Sequence, residues 1–394
     1  MSPRRTTSLR VVGIDVARCC ALLGMMATHT LPGDHALSEA ASGRASALFA
    51  VLAGVSLALT TGGRERHRGQ RLLADAAGLA VRALAIAAIG LWLGDDAFFD
   101  TDVAVILAYY GVLFLLGLPF LAAGPRTLMA LAALWCLCAP AISHLLRGTI
   151  SPAGRFVPAA ADLDDVPRLL TDLLLTGYYP AFTWLTYLLV GMALGRLDLR
   201  SRRVTVGAAT GGLVLAVLAR TSSAALTSTE AATRALTTSA FGGPGGPVES
   251  VREQSYYGTT PTDTWWWLTI SAPHSGTPLD LAHTTGTALL VLGVALVVTT
   301  TAPRVWAVAF GAGAMTLTLY SAHILMLSPR AWPAEPGPTD DGTALGYLGT
   351  QVVVVLAVGA GFALAGLRGP LEWVVSQLSG LGVRAVGPRS PARR

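Results

Sequence analysis

Long apolar segments separated by polar connections dominate the sequence. Each apolar segment is about 20 residues long, which is the length that an α-helix needs to cross the hydrocarbon core of a bilayer. The segments lie at residues 10–31, 43–62, 74–94, 103–123, 127–146, 180–198, 204–222, 282–300, 305–327 and 345–367. This pattern predicts an all-α, polytopic membrane protein with about ten transmembrane helices.

Composition agrees with a membrane protein, since 53% of the 394 residues are hydrophobic and only 13% are charged, against about 25% charged in soluble domains. The connections on one side hold 18 of the 28 basic residues and four acidic residues. Those on the other side hold eight basic and 18 acidic residues. The positive-inside rule therefore predicts that both termini are cytoplasmic. We expect one transmembrane domain over residues 1–394, with external loops at about 147–179 and 223–281 and a cytoplasmic tail at 368–394.

The first predicted helix carries three ionisable residues in "IDVARCCALLGMMATH", namely Asp15, Arg18 and His29. A charged residue near the centre of a membrane helix costs roughly 2.5 to 3.5 kcal/mol on insertion scales. Such residues are therefore usually paired with another group or belong to a functional site. Asp15 precedes Arg18 by three residues and can pair with it. Eleven residues make about three helical turns, so Arg18 and His29 share one face about 16 Å apart.

A purely structural interpretation is an aspartate–arginine pair that fixes helix packing, with an interfacial histidine above it. Further polar groups on the same route favour a functional site. Arg82 lies inside the third predicted helix near its cytoplasmic edge, Arg44 opens the second helix on the outer side, and His35 lies in the short loop between the first two helices.

Several stretches resemble a known enzyme family. Arg18, ten residues and then His29 match the signature of membrane acyltransferases of the acyltransferase-3 type. "GIDVARCCALLGMMATH" followed by "SGRASALFAVLAGVSLAL" resembles the bacterial branch of the heparan-α-glucosaminide N-acetyltransferase catalytic-domain family more closely. Later stretches, among them "YPAFTWLTYLLVGMALGRLDL" and "AMTLTLYSAHIL", extend the resemblance over nearly the whole chain but are less specific.

The resemblance implies transfer of an acetyl group from cytosolic acetyl-CoA, as co-substrate, to an amine or hydroxyl of a glycan on the far side of the membrane. It also implies a location in the bacterial cytoplasmic membrane, contact with membrane lipids, and a homodimer as one possible assembly. A histidine near the far face takes part in the family's reaction. In the heparan enzyme the position that matches His29 is an asparagine, and the histidine comes later in the loop, where His35 is the nearest counterpart.

Acetyl transfer needs a base for the acceptor's proton, and the ordinary histidine pKa near 6.5 suits that role at neutral pH. We assign the base to His29, with His35 as a close second or a partner. Asp15, which orients Arg18, completes the expected catalytic set. The spacing alone does not decide between the two histidines.

Arginine suits the phosphates of coenzyme A because its planar guanidinium forms bidentate hydrogen bonds. We expect Arg18 and Arg82 to hold coenzyme A from the cytosolic side, and Arg44 to serve either coenzyme A or the acceptor. His274 and Ser275 in "APHSGTP", and His323 near the outer end of the ninth helix, are expected to contact the acceptor. The structural alternatives are that His274 and Ser275 merely form a turn and that His323 is a hydrogen-bonded packing residue.

Other classes of function lose support. The chain has no Walker loop, no G-x-G-x-x-G after a strand and no H-E-x-x-H motif, and its histidines are scattered singly. We therefore expect no metal and no nucleic-acid partner. The rival hypothesis is a proton-coupled transporter or exporter of a small metabolite or lipid-linked sugar, in which Asp15, Arg18 and His29 form the path. A non-catalytic scaffold would leave the buried charges unexplained.

Overall fold

The computed structural model describes residues 11–95, 103–151, 157–239, 248–328 and 341–387. Within these ranges the regular structure is helical. The α-helices are α1 (Val12–Thr30), α2 (Ala36–Ala41), α3 (Arg44–Thr60), α4 (Gly69–Leu93), α5 (Leu107–Gly117), α6 (Pro125–Arg147), α7 (Val166–Thr171), α8 (Ala181–Gly195), α9 (Arg202–Thr227), α10 (Glu230–Thr238), α11 (Val248–Glu253), α12 (Pro278–Val298), α13 (Pro303–Ala309), α14 (Thr316–Leu327), α15 (Asp341–Ala365) and α16 (Pro370–Val386).

Seven helical segments in the described part of the chain are long and apolar enough to cross a membrane: α1, α2 together with α3, α4, α6, α9, α12 and α15. The prediction of an all-α, polytopic membrane protein is confirmed. The other three predicted segments are shorter or interrupted. Residues 103–123 form the short helical segment Leu107–Phe120, and residues 305–327 are divided into α13 and α14 by the 3-10 turn Gly311–Ala314.

The segment predicted at 180–198 is also more complex than one straight helix. The loop before it contains the helical segment Ala160–Thr176. It is bent by 57° from α8 at a break of four residues. Pro180 ends this break, and because proline has no backbone N–H it starts a helix more readily than it continues one.

Glycines allow two of the membrane helices to touch. A Cβ atom at Gly191 in α8 would lie 1.9 Å from the carbonyl oxygen of Val51 in α3, and one at Gly54 would lie 2.1 Å from that of Leu188. Small residues at such crossings let backbones approach closely, which is a main source of helix association in lipid. The α3–α8 contact therefore forms a rigid centre beside which α1 and α5 pack.

A buried arginine ties the predicted cytoplasmic ends of three segments together. Arg196, directly after α8, donates hydrogen bonds to the carbonyl oxygens of Ala58, Thr61, Gly63 and Leu121. Burial lowers its pKa to about 10, so the side chain is still cationic at neutral pH. This network gives the buried charge several acceptors.

The predicted external loop at 223–281 contains α10, α11 and the 3-10 turn Trp265–Thr269. Its residues form a small separate core around Leu236 and Trp267, both fully buried. The indole N–H of Trp267 donates to Asp263 over 2.8 Å. This loop is therefore a folded cap on α9 and α12, which it joins.

The described part of the predicted tail forms a packed helix, α16, that lies along α4. Ser379 in α16 donates a hydrogen bond to the carbonyl oxygen of Gly78 in α4. The carboxylate of Glu372 accepts hydrogen bonds from the backbone N–H groups of Leu317 and Thr318 and from the Thr318 hydroxyl, so it caps the start of α14. Residues 388–394 of the tail lie outside the described residues.

Candidate active site

The cationic end of the site is built on α1. The ion pair that the sequence predicted is present, with Arg18 Nη1 donating to Asp15 Oδ1 over 3.2 Å. Arg18 also donates to the hydroxyl of Ser56 in α3. Asp15 is buried, whereas Arg18 is partly exposed where it lines a cavity. The pair thus keeps the guanidinium directed at an open space instead of at lipid.

This cavity lies between α1, α3, α4, α5, α14 and α16. Its volume is about 180 Å³, more than ten times the roughly 10–15 Å³ that a single water needs, so it is large enough for a ligand. One end carries Arg18, Arg82 and Glu372, and the walls beyond them are mainly apolar. The other end is lined by Tyr110 and Tyr320.

Arg82 in α4 is a second cation that lines this cavity. The guanidinium of Arg82 lines the cavity, and none of the described residues accepts a hydrogen bond from it. It lies near enough to Arg18 for mutual repulsion and near enough to Glu372 for attraction. Two arginines held together in this way form a site for an anionic group.

The opposite end of the route carries two histidines. Met25 lines the cavity, and His29 lies one helical turn further along α1. The Nδ1 atom of His29 is 3.2 Å from Nε2 of His323, and the two rings are nearly coplanar. Nδ1 of His323 is 2.7 Å from Oε1 of the fully buried Gln351 in α15.

With the Gln351 amide oriented as it is in the structure, one pair of neutral ring tautomers satisfies both contacts. The amide oxygen of Gln351 only accepts hydrogen bonds, so Nδ1 of His323 carries a proton and donates it. Nε2 of neutral His323 is then an acceptor, and Nδ1–H of His29 donates to it. The second nitrogen of His29, Nε2, is left unprotonated, which is the form that a general base needs.

His35 does not join this pair. Its ring Nδ1 accepts a hydrogen bond from the backbone N–H of Leu37 over 3.2 Å and so caps the short helix α2. The side chain is half-buried on the loop after α1. Its local bond is the ordinary one for a polar residue before a helix. The sequence treated His35 and His29 alike, but the structure gives them different partners.

Arg44 begins α3, at its predicted outer end, away from Arg18 and Arg82. Its Nε donates to Nε2 of His283 over 3.2 Å, and Nη1 donates to the carbonyl oxygens of Glu39 and Ala40. His283 Nδ1 in turn is 3.0 Å from the carbonyl oxygen of Ala216. Arg44 thus lies on the predicted outer side, whereas Arg18 and Arg82 lie toward the predicted cytoplasmic side.

His274 and Ser275 form a tight turn before α12. His274 has a left-handed backbone with φ of 57°, and its Nε2 accepts the backbone N–H of Gly43 over 3.2 Å. Ser275 is buried, and the backbone N–H of Gly276 donates to Asp280 over 3.0 Å. Burial lowers the pKa of His274 to about 4, so its ring is neutral at physiological pH.

The turn also lies close to the histidine pair. His274 and His29 are near enough to interact electrostatically, and the ring of His274 packs against Tyr178 and Tyr179 with centroids 4.7 and 5.6 Å away. The structure therefore brings together three histidines from the first helix, the long outer loop and α14. It brings the residues expected to bind the acceptor next to the expected base.

Sequence reasoning missed three contributors to this arrangement: Gln351, Glu372 and His283. Gln351 is the one amide in the apolar run "TQVVVVLAV", and an isolated polar residue in a membrane helix is a signal of a buried partner. Glu372 lies in the segment expected to be the cytoplasmic tail, and His283 lies at the start of the eighth predicted apolar segment. Among the described residues, no group of three or more His, Cys, Asp or Glu side chains is placed to hold a metal ion.

Comparison with known proteins supplies the family. The model of the catalytic domain of heparan-alpha-glucosaminide N-acetyltransferase matches residues 10–227, more than half of the chain. The chain therefore belongs to this family of membrane acetyltransferases. No curated protein matches the chain. The matched region holds Arg18, His29, Arg44 and Arg82, whereas His323 and Gln351 lie beyond it.

Proposed function

We propose that this member of the heparan-alpha-glucosaminide N-acetyltransferase family transfers an acetyl group from cytosolic acetyl-CoA to an amine or hydroxyl group of an extracytoplasmic sugar. The observation that carries the proposal is the route along α1. It begins at two neighbouring arginines, continues through a mainly apolar cavity and ends one turn before His29, whose Nδ1 atom contacts His323.

The cationic end accounts for binding of the donor. Arg18 and Arg82 provide guanidinium donors for the phosphates of coenzyme A, and Asp15 holds Arg18 in position. The apolar walls suit the slender chain between the phosphates and the thioester. From Arg18 to His29 the distance along the helix is about 16 Å, which such a chain can bridge.

The histidine end accounts for the chemistry. Nε2 of His29 takes the proton from the attacking amine or hydroxyl, whose oxygen or nitrogen then bonds to the thioester carbonyl carbon. The carbon–sulfur bond breaks, coenzyme A leaves as the thiolate, and the acetylated acceptor departs. His323 and Gln351 keep His29 in the required tautomer during the proton transfer, in the way that a buried acid orients the histidine of a catalytic triad.

The acceptor site in this proposal lies at the predicted outer mouth. His274 and Ser275 form its wall beside His29, and Arg44 with His283 offers polar contacts nearby. His35 borders the same mouth from the loop after α1. Its place in the mechanism is secondary, since its Nδ1 already serves the backbone of α2. The enzyme then resides in the bacterial cytoplasmic membrane with both termini inside.

The direct test uses purified full-length protein, acetyl-labelled acetyl-CoA and a panel of amino sugars. We expect label in one or more sugars with the wild-type protein, none above background with His29→Ala, and substantial transfer with His35→Ala. His67→Ala is the matched control, because His67 contacts Asp75 in the predicted cytoplasmic half. Uptake of sugar into vesicles without any covalent acetylation would contradict the proposal and support the rival transporter.

A further inference from the structure

A second cavity, separate from the candidate active site, lies between the first halves of α6 and α9 and the end of α8. Its volume is about 900 Å³, in the range of small-molecule sites. Its floor includes Ala193, Leu194 and Leu289, and the exposed side chains of Met129 and Leu197 stand at its sides. None of the proposed catalytic residues lines it, so the transferase reaction leaves this cavity unexplained.

Two arginines stand at one end of this groove. Arg126 lies in the first turn of α6 and Arg203 in the first turn of α9, both exposed and both lining the cavity. Within the described part of the chain, neither forms a hydrogen bond or an ion pair. The charge pattern places both helix starts on the cytoplasmic side, where membranes carry their anionic lipids.

The remainder of the groove is apolar and open. A Cβ atom at Gly207 or at Gly211 would meet no other atom within 4 Å. These two glycines therefore differ from Gly212, where a Cβ atom would lie 2.5 Å from the carbonyl oxygen of Gly286 and so would separate α9 from α12. Gly212 serves helix packing, whereas Gly207 and Gly211 leave space that no described residue fills.

The depth of the groove matches one leaflet. From Arg203 to Gly211 the distance along α9 is about 12 Å, and half of the hydrocarbon core is about 15 Å. A cationic rim at the membrane surface above an apolar slot of this depth is complementary to a phospholipid. The rim matches the charged headgroup, and the slot matches an acyl chain. A free phosphate ion would use the arginines and leave the slot empty.

We propose that this groove, defined by Arg126, Arg203, Gly207, Gly211 and Leu289, binds one anionic phospholipid of the cytoplasmic leaflet. The phosphate lies between the two guanidinium groups, and one acyl chain lies over the two glycines. A second copy of the chain fits less well. A symmetric contact places the same face of both copies together, which would bring four unpaired arginines close to one another.

The test measures lipid retention by native mass spectrometry of the full-length protein, together with affinity for phosphatidylglycerol and phosphatidylcholine in nanodiscs. Two variants separate the headgroup from the chain: Arg126→Ala/Arg203→Ala removes the cations, and Gly207→Leu/Gly211→Leu fills the slot. The matched control is Gly349→Leu/Gly361→Leu in α15, where a Cβ atom likewise meets nothing within 4 Å.

We expect wild type and the α15 control to retain phosphatidylglycerol in preference to phosphatidylcholine. The double arginine variant should bind phosphatidylglycerol roughly 25-fold more weakly, which corresponds to about 1 kcal/mol for each arginine. The double leucine variant should lose the retained lipid while its melting temperature stays within a few degrees of wild type. Unchanged lipid retention in both groove variants, or a change of oligomeric state in the leucine variant, would overturn the proposal.

Discussion

Replacement of His323 tests whether the histidine pair acts as a unit. In the structure, Nδ1 of His29 lies 3.2 Å from Nε2 of His323, and Nδ1 of His323 lies 2.7 Å from Oε1 of Gln351. In His323→Leu the N–H of His29 loses its acceptor at a half-buried position. The tautomer of His29 with the proton on Nδ1 then loses the stabilisation of this hydrogen bond. Because that tautomer leaves Nε2 free to accept a proton, the reactive form becomes less populated.

The size of the effect follows from that one hydrogen bond. The net contribution of one hydrogen bond is about 0.5–1.5 kcal/mol, and this value applies because His29 is half-buried. Because about 1.4 kcal/mol is a factor of ten in rate, kcat should fall roughly 2-fold to 12-fold. The KM for acetyl-CoA should stay within about twofold, since the arginines that hold the donor lie some 16 Å away along α1.

The assay is steady-state acetyl transfer with varied acetyl-CoA, accompanied by melting temperatures in the same detergent. His323→Gln is the rescue variant, because its amide oxygen can accept the hydrogen bond from His29, and it should recover part of kcat. His144→Leu is the control, since His144 is a buried histidine in α6 that packs on Trp265 instead. Full kcat in His323→Leu would refute the reasoning, and equal losses in the leucine and glutamine variants would reduce His323 to a packing role.

Three further predictions concern donor binding, packing and pH. Arg82→Gln should weaken coenzyme A binding roughly tenfold or more, measured by equilibrium titration, because it removes a charged donor for a phosphate. Arg304→Gln is the control, since Arg304 lies on the same predicted side but outside the cavity, and it should change the affinity little. Gly191→Ala should lower the free energy of unfolding by about 1–3 kcal/mol, since its Cβ atom would lie 1.9 Å from a backbone oxygen. Gly361→Ala, with open space around it, should be near neutral in thermal unfolding. The pKa of His274 is about 4 in the folded protein against 6.5 ordinarily, so the unfolded chain binds this proton first as the pH falls. The free energy of unfolding should therefore decrease as the pH drops from about 6.5 to 4. This decrease should be smaller in His274→Asn, and an identical pH profile of the two proteins would contradict the assignment.

Hydropathy predicted the approximate positions of the apolar helices because insertion into lipid depends on the sum of local side-chain preferences, but seven helical segments of the described chain are long enough to span, not ten. It did not predict the turn Gly311–Ala314, which divides one apolar segment into α13 and α14. Glycine and alanine are apolar by composition, and only the contacts of Gly311 and Gly313 with neighbouring backbones end the helix there.

The site was partly predictable for a related reason. Arg18 and His29 lie on one helix, so their spacing gives their common face directly. The partner of His29 lies 294 residues later in the chain, and no periodicity links positions so distant. The different partners of His29 and His35 depend on tertiary contacts and on the cap of α2, which residue types alone do not distinguish.

The central claim is that the chain moves an acetyl group from one side of the membrane to an acceptor on the other side through His29. The most direct measurement uses oriented proteoliposomes with acetyl-labelled acetyl-CoA on the side of Arg18 and Arg82 and an amino sugar on the side of His29. The account predicts labelled sugar on the His29 side with wild-type protein and none with His29→Ala. Labelled sugar formed equally by His29→Ala, or intact acetyl-CoA carried across by wild type without transfer, would contradict it.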